Sequence, residues 1–477
     1  MVSSSTRVRH DVFFSCKEQI RFRFTNPNGT GWFCTSITYP NGVSTSKGYD
    51  AANRLTSLVH RRGDNSVIAS YSYSYNADGL RTQVVEADGS ILSYTYDGAH
   101  RLVGEVRTGT AAYSIQYVLD GVGNRLSQRV NGVTTTFSYD ADDQLLSTSG
   151  GFNNSYVYNA NGEQVSRTLN GASYTLSWDY DGQLVGISGN GVTVSFAYDA
   201  LGRRLSRTVN GGTTSFLHDG GRIVLELQGN SVTAVYCYGN SLIARNGEVV
   251  LSDGLGTTRA TVDANQAVTG TLTTDASGNP VAQWGSSVNP YRFAGAWDYR
   301  DDGDAGLLHV GARYYDPQVG RFLSRDAVLS EHPYLYCEHE PVNRLDPSGH
   351  EWLDATADFF AGLGNTISFG LTDKIRDWIG ANDAVDKSSS AYQAGGVAGY
   401  IWWFASGGAV GGRAAGYEVW FLRYKNTGGV GMTVRKGGKR IFGVDWHRFK
   451  LRGRFVNRIH YHRRPGIGKH RPWQGGW

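Results

Sequence analysis

Between residues 36 and 285 the chain alternates apolar and polar positions with period two. β-Branched, aromatic and Ser/Thr side chains fill the runs, and Gly-rich punctuation separates them. That alternation and composition predict half-buried β-strands. One copy shows the plan. Arg204-Leu205-Ser206-Arg207-Thr208-Val209 leads into Asn210-Gly211, and Gly212-Thr213-Thr214-Ser215-Phe216-Leu217-His218-Asp219 leads out. Asn-Gly takes positive φ at both positions, which a two-residue type I′ turn needs, so the unit is a β-hairpin. The copies at 125–140, around Asn131-Gly132, and 164–179, around Asn170-Gly171, read alike.

Each hairpin closes on an aromatic-Asp pair or a near equivalent. The pairs are Tyr49-Asp50, Tyr75-Asn76, Tyr96-Asp97, Leu119-Asp120, Tyr139-Asp140, Tyr158-Asn159, Trp178-Asp179, Tyr198-Asp199 and His218-Asp219. From residue 119 they recur every 19 or 20 residues. A fixed period of this size is the mark of a repeat architecture. The Asp can bond its own backbone two residues on and so start the Gly-rich bend to the next strand. A lone hairpin cannot bury a face, so the units must coil or stack.

These tags and turns resemble the Rhs/YD-repeat family over roughly residues 36–350. The resemblance implies repeats wound into a large hollow shell around the chain's own C-terminal part. A second string carries it further: Tyr291-Arg292-Phe293-Ala294-Gly295, Gly311-Ala312-Arg313-Tyr314-Tyr315-Asp316-Pro317, Gly320-Arg321-Phe322-Leu323-Ser324-Arg325-Asp326 and Pro341-Val342-Asn343-Arg344-Leu345-Asp346-Pro347-Ser348-Gly349. It is similar to the Rhs-associated core, which plugs one end of the shell. In many family members that core is also an aspartyl-type autoprotease that frees the C-terminal segment. The resemblance assigns Arg313, Asp326 and Asp346 to that chemistry. Two carboxylates held close cannot both ionise, so one can act as base and the other as acid. Arg313 would orient a carboxylate or stabilise the oxyanion. The chain departs from the pattern at Asp326-Ala327, where Asp-Pro is usual, and at His350, where an aliphatic residue is common. The cut is therefore expected around Gly349–Glu351.

The chain has 477 residues, with 63 Gly and 12% aromatics, in keeping with turn-rich β structure. Cys16, Cys34, Cys237 and Cys337 have neither metal-ligand spacing nor the look of a disulfide framework. Met1–Glu18 lacks the apolar stretch of a signal peptide, and residues 1–35 do not fit the repeat. Members of the family are usually far longer. The resemblance thus implies a C-terminal portion of a secreted or cell-surface bacterial protein.

The net charge of +4 hides a split. Residues 421–477 hold 15 Lys/Arg against one acid, Asp445, so the rest of the chain is net acidic. Such a tail suits a polyanionic partner such as nucleic acid. A shell of opposite sign could also hold it. Its histidines are His447, His460, His462 and His470, with Arg458, Arg463, Arg464, Lys469 and Arg471 close by. His460 and His462 share a face if their segment is a strand. A His pair with Arg can cleave RNA without metal, one ring taking the 2′-hydroxyl proton and the other protonating the leaving oxygen. Alternatively His460, His462 and His470 could ligate a divalent metal.

Between core and tail, apolar positions at helical spacing over 351–393 predict two short amphipathic helices. Residues 394–412 carry no charge. They are long enough to span a bilayer, yet rich in helix-weakening glycine. Membrane contact and packing inside the shell both stand as readings.

The expected fold is mainly β: a coiling array of antiparallel β-hairpins with a core plug, then a small α-helical linker and a small α+β tip. The boundaries are 1–35, 36–285 for repeats, 286–350 for the core, 351–415 for the linker and 416–477 for the tip. The expected function is that of an Rhs-type polymorphic toxin with a nuclease tip and a cognate immunity protein. The competing expectation is a non-enzymatic adhesion protein whose repeats bind carbohydrate or other cells.

Overall fold

The computed structural model describes residues 20–25, 33–326 and 332–350 with their side chains. It also describes the backbone of the strands Gly411–Ala414, Tyr417–Tyr424, Gly429–Lys436, Lys439–Leu451 and Arg454–Arg463. The chain divides into two compact units. The first holds one 26-stranded sheet and one four-stranded sheet, the second a five-stranded sheet. Among the described residues helical structure is limited to two 3₁₀ turns, Gly295–Trp297 and Cys337–His339. The linker segment 351–393 and the uncharged 394–410 lie outside the described residues.

The large sheet is a meander in which every strand pairs antiparallel with its sequence neighbours, as Val192–Tyr198 does with Leu184–Gly189 and Arg204–Val209. The Asn-Gly turns have the expected backbone, with φ of 46° at Asn210 and 91° at Gly211, and 49° and 89° at Asn131 and Gly132. At the opposite ends of the strands the Asp tags act as turn staples. Asp199 Oδ1 accepts the Leu201 and Arg203 amides at 2.9 and 3.0 Å. Asp97, Asp140 and Asp179 repeat this pattern.

The aromatic residue of the tag has its own task. Tyr198 donates its hydroxyl to Leu184 O at 2.8 Å, Tyr139 to Arg125 O at 3.0 Å, and Trp178 its indole N–H to Gln164 O at 2.8 Å. The strand register also slips by one residue just before the aromatic, between Ala197 and Tyr198, Ser177 and Trp178, and Ser138 and Tyr139. A bulge at a fixed place in each repeat bends and twists the strand the same way every time, which curls the sheet.

The curl brings distant segments together. Ile37, Tyr39 and Val43 pack in one core with Cys237, Ile243, Leu251 and Val262. Tyr73 Oη accepts the Gly254 amide at 2.7 Å, and Arg62 donates to Gln266 O at 3.0 Å. The sheet starts earlier than the tags do. Arg21–Thr25, within the segment that failed to fit the repeat, pairs with Phe33–Thr38. The cysteine reading also needs correction. Cys237 is disulfide-bonded, whereas Cys34 and Cys337 are free thiols.

The core segment packs against the inward face of the repeats. Leu307, Tyr314 and Leu323 join Leu176, Leu184, Val194 and Phe196 in one cluster, and Val319 joins Phe137, Leu145 and Tyr156 in another. Arginines of the repeats meet acids of the core: the buried Arg167 with Asp316, the buried Arg204 with Asp302, and the half-buried Arg207 with Asp304.

Candidate active site

The site is built on the four-stranded sheet formed by Arg300–Asp301, Leu308–Val310, Arg313–Asp316 and Arg321–Phe322. Leu308–Val310 and Arg313–Asp316 are joined by a tight turn at Gly311 and Ala312. The returning chain at 346–350 lies against that turn, where the Ala312 amide donates to Ser348 O at 2.9 Å. Gly311 has φ of 53°, and a Cβ there would overlap the Ser348 carbonyl. Glycine is needed at this point for both conformation and space.

Asp346 opens a turn of the same kind as the Asp tags. Its Oδ1 accepts from Gly349 N at 2.8 Å, His350 N at 3.1 Å and Ser348 Oγ at 3.1 Å. Asp at the first turn position, Pro at the second and Gly at the fourth is the type I turn composition. The Asp346 amide in turn donates to Tyr299 Oη at 2.7 Å, and that hydroxyl lies 3.0 Å from Tyr336 Oη. Tyr299 and Tyr336 belong to an aromatic core with Phe293, Tyr315 and Phe322, so the Asp346 backbone is fixed from behind.

The Arg313 guanidinium sits 3.6 Å over the Phe322 ring. Its Nη2 is 2.6 Å from Asp326 Oδ2 and 3.3 Å from Asp346 Oδ2, and its Nε donates to Gly349 O. All three charged side chains are at most 5% exposed. In so dry a setting charge interactions are far stronger than in water. Burial pushes the Asp346 carboxyl above the usual range, and the Asp326 charge pushes the same way. Arg313, Ser348 and the Gly349 amide oppose them without prevailing. The result is a carboxyl inclined to hold its proton beside a second one paired with a fixed cation. The peptide unit between Gly349 and His350 has its oxygen on Arg313 and its nitrogen on Asp346.

Arg313, Asp326 and Asp346 thus converge, next to Gly349 and His350. One contact was not read from the sequence: His350 Nδ1 lies 3.3 Å from Asp326 Oδ1. Spacing alone could not have found it, since the two residues are 24 apart and meet through the fold.

In the second unit, Lys439–Leu451 pairs antiparallel with Arg454–Arg463. The register sets Asp445 opposite His460, His447 opposite Arg458, Gly443 opposite His462 and Phe442 opposite Arg463. Directly paired residues share a face and alternate residues return to it. Asp445, His447, Arg458, His460 and His462 therefore occupy positions on one face, and Arg463 a position on the other. Arg464 and His470 lie outside the described residues.

Comparison with known proteins adds to this geometry. Over 98 residues the chain is 40% identical to the tRNA nuclease WapA of Bacillus subtilis (strain 168), which is 18% of this chain and 4% of that protein. Over 76 residues it is 33% identical to salivary gland surface protein 1 of Aedes aegypti, which is 15% of this chain and 2% of that protein. A crystal structure of TcdB2-TccC3 aligns over 66% of this chain and 21% of that one, at 17% identity and a TM-score of 0.38. The family profile described as Teneurin YD-shell matches residues 37–335, well over half of the chain. This chain belongs to the Teneurin YD-shell family.

Proposed function

We propose that the chain is the shell-and-core part of an Rhs-type polymorphic toxin that cuts its own backbone around Gly349–Glu351 and releases a basic C-terminal nuclease. The observation that carries the proposal is the Arg313 guanidinium, which touches Asp326, Asp346 and the Gly349 carbonyl together. On this reading Asp326 takes a proton from water, and the water oxygen bonds to the carbonyl carbon. Arg313 stabilises the oxyanion, and protonated Asp346 gives its proton to the departing amine as the C–N bond breaks. Water is consumed, leaving a carboxyl terminus on the shell and an amino terminus on the payload.

The released segment carries His447, His460 and His462 with Asp445 and Arg458 at positions on one sheet face. Acid, base and cation in one place are what metal-free RNA cleavage needs. If a divalent ion serves instead, His460, His462 and His470 are its ligands, and chelation separates the two routes. The name of the WapA relatives supports nucleic acid as target. Secretion, enclosure of the tip by the repeats, a cognate immunity protein and membrane contact through 394–412 belong to the same proposal.

Two experiments test it. On a gel, the purified full chain should run as two fragments broken near residue 350, and Asp346→Asn should run as one. A chain uncut in both forms removes self-cleavage. Residues 351–477 expressed in bacteria should arrest growth and degrade RNA, and His460→Ala with His462→Ala should abolish this. A harmless segment, or one equally toxic without those histidines, removes the nuclease.

A further inference from the structure

We propose that Asn190 is a modification site, where the repeat sheet deamidates spontaneously ahead of every other Asn-Gly pair among the described residues. It would do so whether or not the chain cuts itself.

Asparagine followed by glycine is chemically labile. The Gly amide nitrogen bonds to the Asn side-chain carbon as the bond to the side-chain nitrogen breaks. Ammonia leaves with the proton that the glycine nitrogen gives up. One water then opens the resulting succinimide at either carbonyl, leaving aspartate or its β-linked isomer. Glycine favours the step because no side chain crowds its nitrogen. Two restraints slow it: an Asn side chain held in place, and a Gly amide whose hydrogen is already donated.

The described residues hold seven such pairs. Four are latched turns. Asn131 Oδ1 accepts from Ser114 N at 2.8 Å, Asn170 Oδ1 from Asn153 N at 3.0 Å, Asn210 Oδ1 from Thr193 N at 2.9 Å and Asn246 Oδ1 from Val235 N at 2.7 Å. In each, the Asn amide donates back to the carbonyl of that same partner. Asn41 is held at both ends, by Val43 N and by its own Nδ2 on Asp263 O. The Asn161 side chain makes no hydrogen bond among the described residues. Its neighbour is restrained instead: Gly162 N donates to Asn159 O at 3.0 Å, and Gly162 O accepts from Tyr334 Oη at 2.9 Å.

Asn190 has neither restraint. It is exposed, and its one side-chain contact is Nδ2 at 3.5 Å from Tyr174 Oη, longer than an ordinary hydrogen bond. Gly191 N donates to no backbone carbonyl among the described residues, and a Cβ on Gly191 would meet nothing within 4 Å. The register explains the missing latch. Val209 pairs with Val194, and Asn210 latches onto the preceding Thr193. Gly189 pairs with Tyr174, so the same rule gives Ser173 to Asn190. But Gly189 takes φ of 152° and packs its own backbone against Ser173 O.

The consequence reaches the core. Leu184–Gly189 and Val192–Tyr198, the strands joined by this turn, bring Leu184, Ile187, Val194 and Phe196 against Leu307, Tyr314 and Leu323. The β-linked isomer adds a backbone atom to a two-residue turn and so spoils the Gly189–Val192 pairing. The sheet then loosens where it grips the core segment.

The test uses the full chain, kept folded in mildly alkaline buffer made with heavy-oxygen water. Peptide mapping by mass spectrometry reads label entering each Asn-Gly pair over time. Asn190 should react at least about fivefold faster than the four latched turns, the factor that one net hydrogen bond is worth. In denaturant all of them should react alike. Asn190→Gly keeps a turn of this type and cannot deamidate. Its urea midpoint should hold during the incubation while that of the wild type drifts down. A folded-state rate at Asn190 no faster than at Asn131, Asn170, Asn210 and Asn246 overturns the inference. So does a lead for Asn161, or a lead for Asn190 that persists in denaturant. Midpoints that drift in parallel overturn the loosening.

Discussion

Arg204 of the repeats and Asp302 of the core segment form an ion pair in which the side chains are 1% and 9% exposed. Arg204 also donates to Tyr314 Oη at 3.1 Å and lies 5.3 and 5.2 Å from the ring centroids of Phe196 and Phe216. Asp302 is shared with Arg300, whose Nε is 2.8 Å from Oδ1, and the two cations hold its carboxyl below the usual range. Removing one partner of a buried pair strands the other charge and costs about 3–5 kcal/mol. Asp302→Ala strands Arg204, whereas Arg300 keeps Glu226 at 2.6 Å, and the loss should fall within that range. Arg204→Met leaves Asp302 with Arg300 and should cost distinctly less. Chemical denaturation of the three proteins, with cleavage blocked by Asp346→Asn in each, checks the order.

Much of the repeat architecture can be read in the sequence because it is local. Asn-Gly dictates its turn, and the aspartate of each tag satisfies backbone amides two and four residues on. Periodicity then multiplies one hairpin into a sheet. Arg204 was unreadable because its partners are about 100 residues away, brought in by the curl of the sheet. The Arg21–Thr25 strand does alternate locally as Arg-Phe-Arg-Phe-Thr, but it precedes the tagged repeat, and its pairing with Phe33–Thr38 is not written in any tag. At the site, Arg313, Asp326 and Asp346 were found through motif resemblance. The His350 contact with Asp326 depends on three-dimensional placement alone.

The two carboxylates should differ in how their loss affects the protein. Asp326→Asn removes the proposed base and should slow cleavage by about 10²–10⁴-fold, the usual worth of a positioned acid or base. Asp346→Asn removes the proposed acid, and it also disturbs the turn that receives the Gly349 and His350 amides. It should therefore abolish cleavage and lower stability, whereas Asp326→Asn should lower the rate more than the stability. Cleavage time courses beside urea midpoints separate the two. Equal effects on both properties from both variants would contradict the assignment.

Gly349 offers a test through the backbone. Its φ is 73°, and a Cβ there would overlap the Val310 carbonyl. Gly349→Ala should cost about 1–2 kcal/mol from the left-handed conformation alone, before the overlap is counted. The larger effect should be on cleavage, because relief of the overlap pulls the Gly349 carbonyl away from Arg313 Nε. Expected is an uncut chain that still folds, shown by a single band with an unchanged far-UV spectrum. Full cleavage in Gly349→Ala would mean that this carbonyl need not sit on Arg313.

Acid should loosen the sheet through His60. The ring is buried, with Nε2 3.0 Å from Ser252 O and Nδ1 2.7 Å from Thr45 Oγ1. A carbonyl only accepts, so Nε2 carries the hydrogen and Nδ1 accepts from Thr45. Burial, chiefly, lowers the His60 pKa to about 4, against about 6.5 in an unfolded chain. Between those values the unfolded chain binds more protons, so stability rises with pH. The contribution is complete above about pH 6.5 and is lost as pH falls through about 4, by roughly 3 kcal/mol at most. Glu340 works against it. Burial raises its pKa to about 7 despite Arg344 at 3.1 Å, so its ionisation costs stability as pH rises towards neutral. His60→Gln isolates the histidine, since it cannot titrate and leaves Glu340 untouched. The variant should be less stable than the wild type at pH ~7, where one hydrogen bond is lost. Its urea midpoint should fall less than that of the wild type between pH ~7 and ~4. Parallel falls in the two proteins would mean that His60 is not the group through which acid acts.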